Sequence, residues 1–286
     1  MANEQTIPLG ISAKNWFFTA PSQAEKNFIS PEQILSEASL AGFSGIDPTN
    51  LISLNDEALL HAVKLRHLKV SGYSISLALF SQSYQESYQQ ISQAIKRASY
   101  LEASYLNLSI LPTLGQDNPS KFYRFLNQAG HFATEQNLHL CFRPQTNAPF
   151  SSCEALETLL SHTDKQYVSL CYDTRHFISA SEDLYLAAKN FSSRIGSIYL
   201  TDTYSEKFKN ADSSDTPYDF TKNNSAQFTI PGEGCLSFDL IFSNLKLDHY
   251  QGWIVVDSYL QNPCIEPFEY ALKGIYYLHT LLGYSP

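Results

Sequence analysis

Short apolar runs alternate with amphipathic stretches along nearly the whole chain. Leu9–Ser12 predicts a first strand, followed by a polar loop through Trp16. Ser30-Pro31-Glu32-Gln33 then opens a helix, with Ser30 as N-cap, Pro31 at the first helical position and Gln33 closing a capping box. Ile34, Leu35, Ala38 and Ala41 recur at helical spacing, and Gly42 ends the element. The same alternation predicts strands over 43–47, 70–75, 105–110, 138–142, 168–173, 195–200 and 253–257. Helices are predicted over 56–66, 86–101, 118–136, 151–162, 182–191, 238–246 and 267–282, with Asn118-Pro119 as a cap-then-proline start and Ser151-x-x-Glu154 as a second capping box. One long irregular stretch, 203–234, is rich in Asp, Asn, Ser and Lys, and loops of that length usually serve as lids or mobile functional segments.

Eight strand-then-helix units without a linker predict a single α/β domain over 1–286, a (β/α)8 barrel. A doubly wound sheet would more often carry a glycine-rich turn after its first strand, and neither G-x-G-x-x-G nor G-x-x-x-x-G-K-S/T occurs. The 286 residues and an apolar fraction of 43% suit a large buried core. A formal charge of -9 argues against a nucleic-acid partner, which calls for a basic face. The start, MANEQTIPLG, has no signal-peptide pattern, and no apolar run approaches a membrane span, so no membrane association is expected. Five cysteines (Cys141, Cys153, Cys171, Cys235 and Cys264) never form C-x-x-C and are expected as reduced thiols in a cytoplasmic protein. Nothing in the pattern conflicts with a homo-oligomer.

In a barrel, strand ends distant in sequence meet around one mouth, where ligands bind. VSLCYDTRH, Val168 to His176, ends a buried strand in a polar cluster. Collecting the strand ends gives Asp47, Arg143, Asp173, His176, Tyr199, Asp202 and Asp257. Each alone has a plain explanation; Asp173, for instance, can cap the following turn while His176 is a partly buried polar residue. Together, several carboxylates at one rim repel unless something positive lies among them, so a ligand site is the better account. Trp16, Tyr73 and Phe80 can stack on a ligand at the mouth, although packing is the commoner role of aromatic residues. Glu233 can cover the site from its loop, Arg175 can pair at the rim, and Cys235 lacks the flanking cation of a nucleophile. The remaining histidines fall mostly on helices and are expected at the surface.

These stretches resemble the inosose dehydratases, within the larger group of xylose-isomerase-like barrels. The matching segments are VSLCYDTRHFISASED (168–183), RIGSIYLTD (194–202), FTIPGEGCLSFD (228–239) and YQGWIVVDS (250–258). LGIS with Trp16, and LAGFSGID (40–47), agree more loosely, so the likeness covers most of the chain and is strongest from about residue 165. The resemblance implies a divalent metal, commonly manganese or cobalt, held by four side chains from the later strands. It matches Asp173 to the family aspartate and His176 to a substrate-binding histidine. Asp257 stands at a glutamate position, Tyr199 where a histidine belongs, Thr201 where a lysine belongs, and Arg143 in a run that is histidine-rich in the family.

Arginine has no lone pair to offer a metal, and neutral tyrosine is a poor ligand beside imidazole. The expectation is therefore no cofactor, with at most a weak manganese or cobalt site at Asp173 and Asp257. Arg143 is expected to replace the metal as counter-charge, its planar fork suiting a carboxylate on each side. The alternative is an outward-pointing Arg143 beside a weak metal. What the resemblance implies is an enzyme for a small polyol or ketose-like molecule, a carbon–oxygen lyase with Asp173, His176, Asp257 and Arg143 as catalytic residues. Asp257 or His176 is the candidate base and Arg143 steadies the oxyanion. Trp16, Asp47, Tyr199, Asp202 and Glu233 are the expected substrate contacts. The rival readings are a sugar isomerase or epimerase, and a non-catalytic descendant binding a small ligand or a partner.

Overall fold

Successive side chains of a strand point to opposite faces of its sheet, and this period organises the whole molecule. The structure, a computed structural model, describes residues 6–17, 29–51, 53–78, 83–111, 119–204, 228–247, 250–258 and 266–284. Phe80, Asn118, His249, Cys264 and most of the 203–234 stretch lie outside the described residues. The strands are β1 (Leu9–Ser12), β2 (Gly45–Asp47), β3 (Lys69–Val70), β4 (Tyr73–Leu77), β5 (Tyr105–Ile110) and β6 (His139–Phe142). They continue as β7 (Val168–Asp173), β8 (Ile195–Leu200), β9 (Asp202–Thr203), β10 (Phe228–Thr229) and β11 (Ile254–Val256). Nine of them form one sheet in the order β3-β2-β1-β11-β8-β7-β6-β5-β4, with every pairing parallel. Around it pack α1 (Pro31–Ala41), α2 (Asp56–Leu65), α3 (Tyr84–Tyr100), α4 (Pro119–Glu135) and α5 (Cys153–Ser161). The rest of the helical layer is α6 (Thr174–Ala180), α7 (Leu184–Phe191), α8 (Phe238–Leu245) and α9 (Pro267–Leu282). This is the expected (β/α)8 barrel, nearly closed.

The one-strand expectation over 70–75 resolves into two pieces, and that break is where the barrel shuts. β3 bonds to β2 and β4 bonds to β5, with Ser71 and Gly72 between them. The chain around this break is crowded, which calls for glycine. A side chain at Gly72 would meet the Tyr199 hydroxyl at 2.8 Å and Asn107 Nδ2 at 3.2 Å, and one at Gly10 would meet Ser71 at 2.9 Å.

Two buried clusters correspond to the two faces of the sheet. Leu106, Leu108, Leu140, Phe142, Leu170, Ile198 and Val256 belong to the large core beneath the helices. Cys141, Cys171, Tyr199, Trp253 and Val255, from the alternate positions, form a smaller cluster inside the barrel. The inner positions are otherwise small or polar: Ser12, Ser74, Asn107, Ser109 and Ser197 are all buried. A barrel interior of this kind must satisfy its polar atoms internally, because each unpaired one costs about 1–3 kcal/mol.

Helix starts follow the expected chemistry with two corrections. Ser30 caps α1 and Gly42, at φ 103, ends it. Gln33 does not close the box, however; its amide donates to Glu37 at 2.7 Å. The N-cap of α5 is Ser152, not Ser151. A capping box that the sequence reading missed, Ser83 with Glu86, starts α3 at Tyr84. No helix among the described residues is long and apolar enough to cross a membrane.

Two glycine substitutions separate crowding from helix propensity. Gly72→Ala drives a methyl into the Tyr199–Asn107 contact and is expected to destabilise the fold by about 1–3 kcal/mol. Gly274→Ala in α9 meets nothing closer than 3.9 Å, and is expected to stabilise by up to about 1 kcal/mol. Urea unfolding of both variants checks the opposite signs.

Candidate functional site

At the carboxyl end of the barrel the strand tips surround a cleft of about 730 Å³. Lys14, Thr49, Ser74, Gln145, Arg143 and Asp173 contribute to its wall, together with His176 and Asp257. Apart from Ser74, which lies near the start of β4, these residues follow or end β1, β2, β6, β7 and β11, so the barrel topology delivers them to one place.

Arg143 points inward and is only 7% exposed. Its Nε donates to Asp173 Oδ2 at 2.8 Å, and its Nη2 lies 2.7 Å from the same oxygen. Nη2 also donates to Asp257 Oδ2 at 2.5 Å. One guanidinium therefore bridges two buried carboxylates from neighbouring parts of the rim. Its plane lies over the Tyr199 ring, 4.3 Å from guanidinium carbon to ring centroid, a geometry in which the ring face attracts the cation. Nη1 reaches only to Ser74 Oγ, at a long 3.5 Å, and so retains donor capacity toward the cleft.

Beneath the arginine runs a hydrogen-bonded chain. The Tyr199 hydroxyl donates to Asp47 Oδ2 at 2.7 Å and accepts from Asn107 Nδ2 at 2.9 Å. Ser197 donates to Asn107 Oδ1 at 2.7 Å, and Ser74 donates to Asp47 Oδ2 at 2.9 Å. The Thr49 backbone N–H, at 3.0 Å, and its hydroxyl both donate to Asp47 Oδ1. Asp47 is thus a buried acceptor fully engaged by neutral donors, and Tyr199 is the platform on which Arg143 rests.

Burial raises the Asp257 carboxyl, but the charges of Lys14 and Arg143 outweigh it and hold the group well below the usual carboxylate range. Its Oδ1 is buried, and a side-chain hydrogen bond from Ser12 also favours the ionised form. Asp173 caps α6, accepting the Arg175 N–H at 3.0 Å through Oδ1, so the plain explanation of this aspartate holds alongside the bridge. His176 lies on the first turn of α6, with Nε2 at 2.9 Å from the Ser151 carbonyl. A carbonyl only accepts, so Nε2 carries the proton. Burial holds the imidazole below its ordinary value of 6.5, against the opposing pull of Asp173 and the Ser151 carbonyl. The neutral ring therefore keeps a lone pair on Nδ1, a buried atom with no hydrogen-bond partner among the described residues.

Several expected substrate contacts lie elsewhere. Trp16 is buried and donates from Nε1 to Glu37 at 2.6 Å. Asp47 and Tyr199 form the layer under the cleft and do not line it. Asp202 faces away from the mouth: its carboxylate accepts the backbone N–H groups of Thr203, Gly232, Gly234 and Leu236 at 2.7, 3.0, 3.0 and 3.1 Å. Burial raises this carboxyl against those four donors. Glu233 pairs with Lys273 at 3.2 Å on the outside. Tyr73 sits under Arg97, 5.4 Å from ring centroid to guanidinium carbon. In contrast, Lys14, Thr49, Ser74 and Asn107 were not anticipated. The signal for the last two was present in YSISL and YLNLSI, where a polar residue recurs at every second position.

A family model described as xylose isomerase-like TIM barrel matches residues 35–279. An inosose dehydratase of Bacillus cereus (strain AH820) is 27% identical over 304 aligned positions, covering 99% of this chain and 100% of the relative. A crystal structure of the IOLI protein with a binding zinc atom superimposes with a TM-score of 0.73 at 13% identity, covering 97% of this chain and 98% of that one. L-ribulose 3-epimerase gives 0.71 at 15% identity, covering 97% and 95%. At those identities the structural likenesses speak for the fold.

Removing the bridging cation leaves two buried carboxylates facing one another. Arg143→Ala is expected to cost about 3–5 kcal/mol, measured by urea unfolding, and Arg143→Lys recovers little because a point charge cannot reproduce the fork. The histidine gives a second expectation. Unfolded, it protonates near 6.5; folded, it does so only at lower pH. Between those points the unfolded chain holds the extra proton, so stability falls as the pH is lowered through this window and is unaffected above it. His176→Gln removes this part of the pH dependence of the urea midpoint.

Proposed function

The chain belongs to the xylose isomerase-like TIM-barrel family, and from that premise we propose that it acts on a small polyhydroxylated ketone at the barrel mouth. The proposed reaction is loss of water, as in an inosose dehydratase, carried out without the divalent metal that the resemblance implies. The observation carrying this reading is the Arg143 guanidinium lying between Asp173 and Asp257. Its charge offsets one of the two negative charges and Lys14 acts on Asp257 as a second cation, so a divalent ion brought to the carboxylates would face positive charge at close range. The donor set agrees: arginine and tyrosine at two strand tips, and no group of three or more His, Cys, Asp or Glu side chains disposed around a common point among the described residues. A divalent ion does not fit this site.

Dehydration of a hydroxyketone begins with removal of a proton next to the carbonyl. His176 is the better base of the two candidates. Its Nδ1 lone pair is unshared and the ring is neutral, whereas Asp257 is held ionised by Lys14 and Arg143 and so has low proton affinity. As the C–H bond breaks, its electron pair moves toward the carbonyl oxygen, and the unspent Nη1 donor of Arg143 stabilises that developing charge. The pair then returns, the neighbouring C–O bond breaks, and the imidazolium gives its proton to the departing hydroxyl. Water leaves, the ring is neutral again, and the guanidinium keeps its proton throughout. Lys14, on the cleft wall, remains to orient hydroxyl groups.

Product analysis on inososes and ketoses, in chelator-treated buffer, tests this reading. Loss of water is the expected outcome, and His176→Ala is expected to lower kcat by about 10²–10⁴-fold. A stereoisomer or an aldose in place of the dehydrated product would make the chain an epimerase or isomerase, which shares the first proton abstraction. Absence of both turnover and binding across the panel would leave a non-catalytic descendant.

A further inference from the structure

Ser151 gives its carbonyl to His176, and the turn that delivers it is unusual. Phe150 has φ 62, a region that a bulky L-residue rarely enters. It follows Pro149, so the two residues take the corner positions of a turn whose second corner normally calls for glycine. Glycine is absent, and the ring that replaces it is anchored. Phe150 stacks on Phe122 with centroids 5.0 Å apart, tilts against Tyr123 at 5.9 Å and meets Phe142 edge-on at 6.3 Å. The helix that follows does not use the Ser151 carbonyl. Its first bond is accepted by Ser152, from Leu156 N–H at 2.9 Å. The carbonyl thus stands outside the helical ladder and is spent on His176 Nε2 at 2.9 Å.

We infer that Phe150 is a positioning residue: its ring, held among Phe122, Tyr123 and Phe142, fixes a left-handed turn that aims the Ser151 carbonyl at His176 and so sets which imidazole nitrogen is bare. Were the proton on Nδ1, the Nε2 lone pair would face the carbonyl oxygen, and the bond could not form. With the carbonyl in place the proton is confined to Nε2, and Nδ1 is left as a buried acceptor without a partner among the described residues, on a side chain that borders the cleft. A glycine at 150 would adopt the same backbone angle without strain, but nothing would then hold the turn against the helix layer. The strained aromatic therefore has a purpose that a relaxed turn would not serve. The catalytic meaning of this device rests on His176 being the base; the choice of tautomer does not.

Imidazole nitrogen NMR on uniformly ¹⁵N-labelled protein reads the tautomer directly, with the His176 signals assigned by their loss in His176→Gln. Wild type is expected to be wholly Nε2–H, and Phe150→Tyr, which keeps the ring, is expected to match it. Phe150→Gly suits the turn but deletes the anchor; its two nitrogen resonances are expected to move toward one another as the tautomers mix. Phe150→Leu, which keeps part of the packing, serves the same purpose if the glycine variant does not fold. With a turned-over substrate in hand, kcat falls on the order of 10²-fold while KM holds. A wild-type His176 protonated on Nδ1 would overturn the inference. So would a folded Phe150→Gly or Phe150→Leu in which His176 stays wholly Nε2–H. Those outcomes concern the turn alone, whereas mixed tautomers with kcat unchanged would count against the histidine as base.

Discussion

One buried cation holds the top of this barrel together. Arg143 is enclosed on three sides: Asp173 and Asp257 take its N–H groups and the Tyr199 ring supports its plane. Taking a guanidinium and two carboxylates out of water carries a desolvation cost of several kcal/mol per ion, offset only by good geometry and further hydrogen bonds. The surroundings supply both. Tyr199 is fixed by Asp47 and Asn107, and Asn107 in turn by Ser197. The absent side chain at Gly72 leaves the room that this hydroxyl needs. The break between β3 and β4, the polar inner face of the sheet and the charged rim are thus parts of one arrangement.

That arrangement bears on how a sugar-processing barrel can change while keeping its fold. A divalent ion offers two positive charges at a point and accepts lone pairs from several directions. A guanidinium offers one charge spread over a plane and gives hydrogen bonds in fixed directions. Exchanging the first for the second keeps two facing carboxylates compatible with burial. Under the proposed reaction it also divides the work: Asp173 and Asp257 anchor the arginine, and proton transfer falls to His176. Lys14, near Asp257 on the cleft wall, adds a second positive charge from a different strand tip.

The barrel was legible because its signals are local. Caps at Ser30 and Asp173, glycine at Gly42 and alternation along each strand all act within a few residues. The gathering of Arg143, Asp173, His176 and Asp257 followed from the topology, since strand tips of a barrel must share a rim. What sequence could not reveal was direction and partnership across the interior. Asp202 has the residue type and position of a mouth ligand, yet backbone N–H groups of a loop some thirty residues on surround it. Glu233 likewise lies in a family-like loop but turns to Lys273. Tyr199 was assigned to substrate because nothing in the chain says that Asn107 and Asp47 lie on either side of its hydroxyl. The need for glycine at 72 was hidden for a similar reason: the crowding there comes from Tyr199 and Asn107.

The central claim, that a resident guanidinium takes the place of a divalent metal, is tested most directly by metal content. Protein purified without chelators from cells supplemented with manganese and cobalt would be assayed for bound metal, and its melting curve recorded with each ion added. The account predicts no stoichiometric metal and no upward shift in Tm. Near-stoichiometric metal with a clear rise in Tm would contradict it and return Asp173 and Asp257 to the role of ligands.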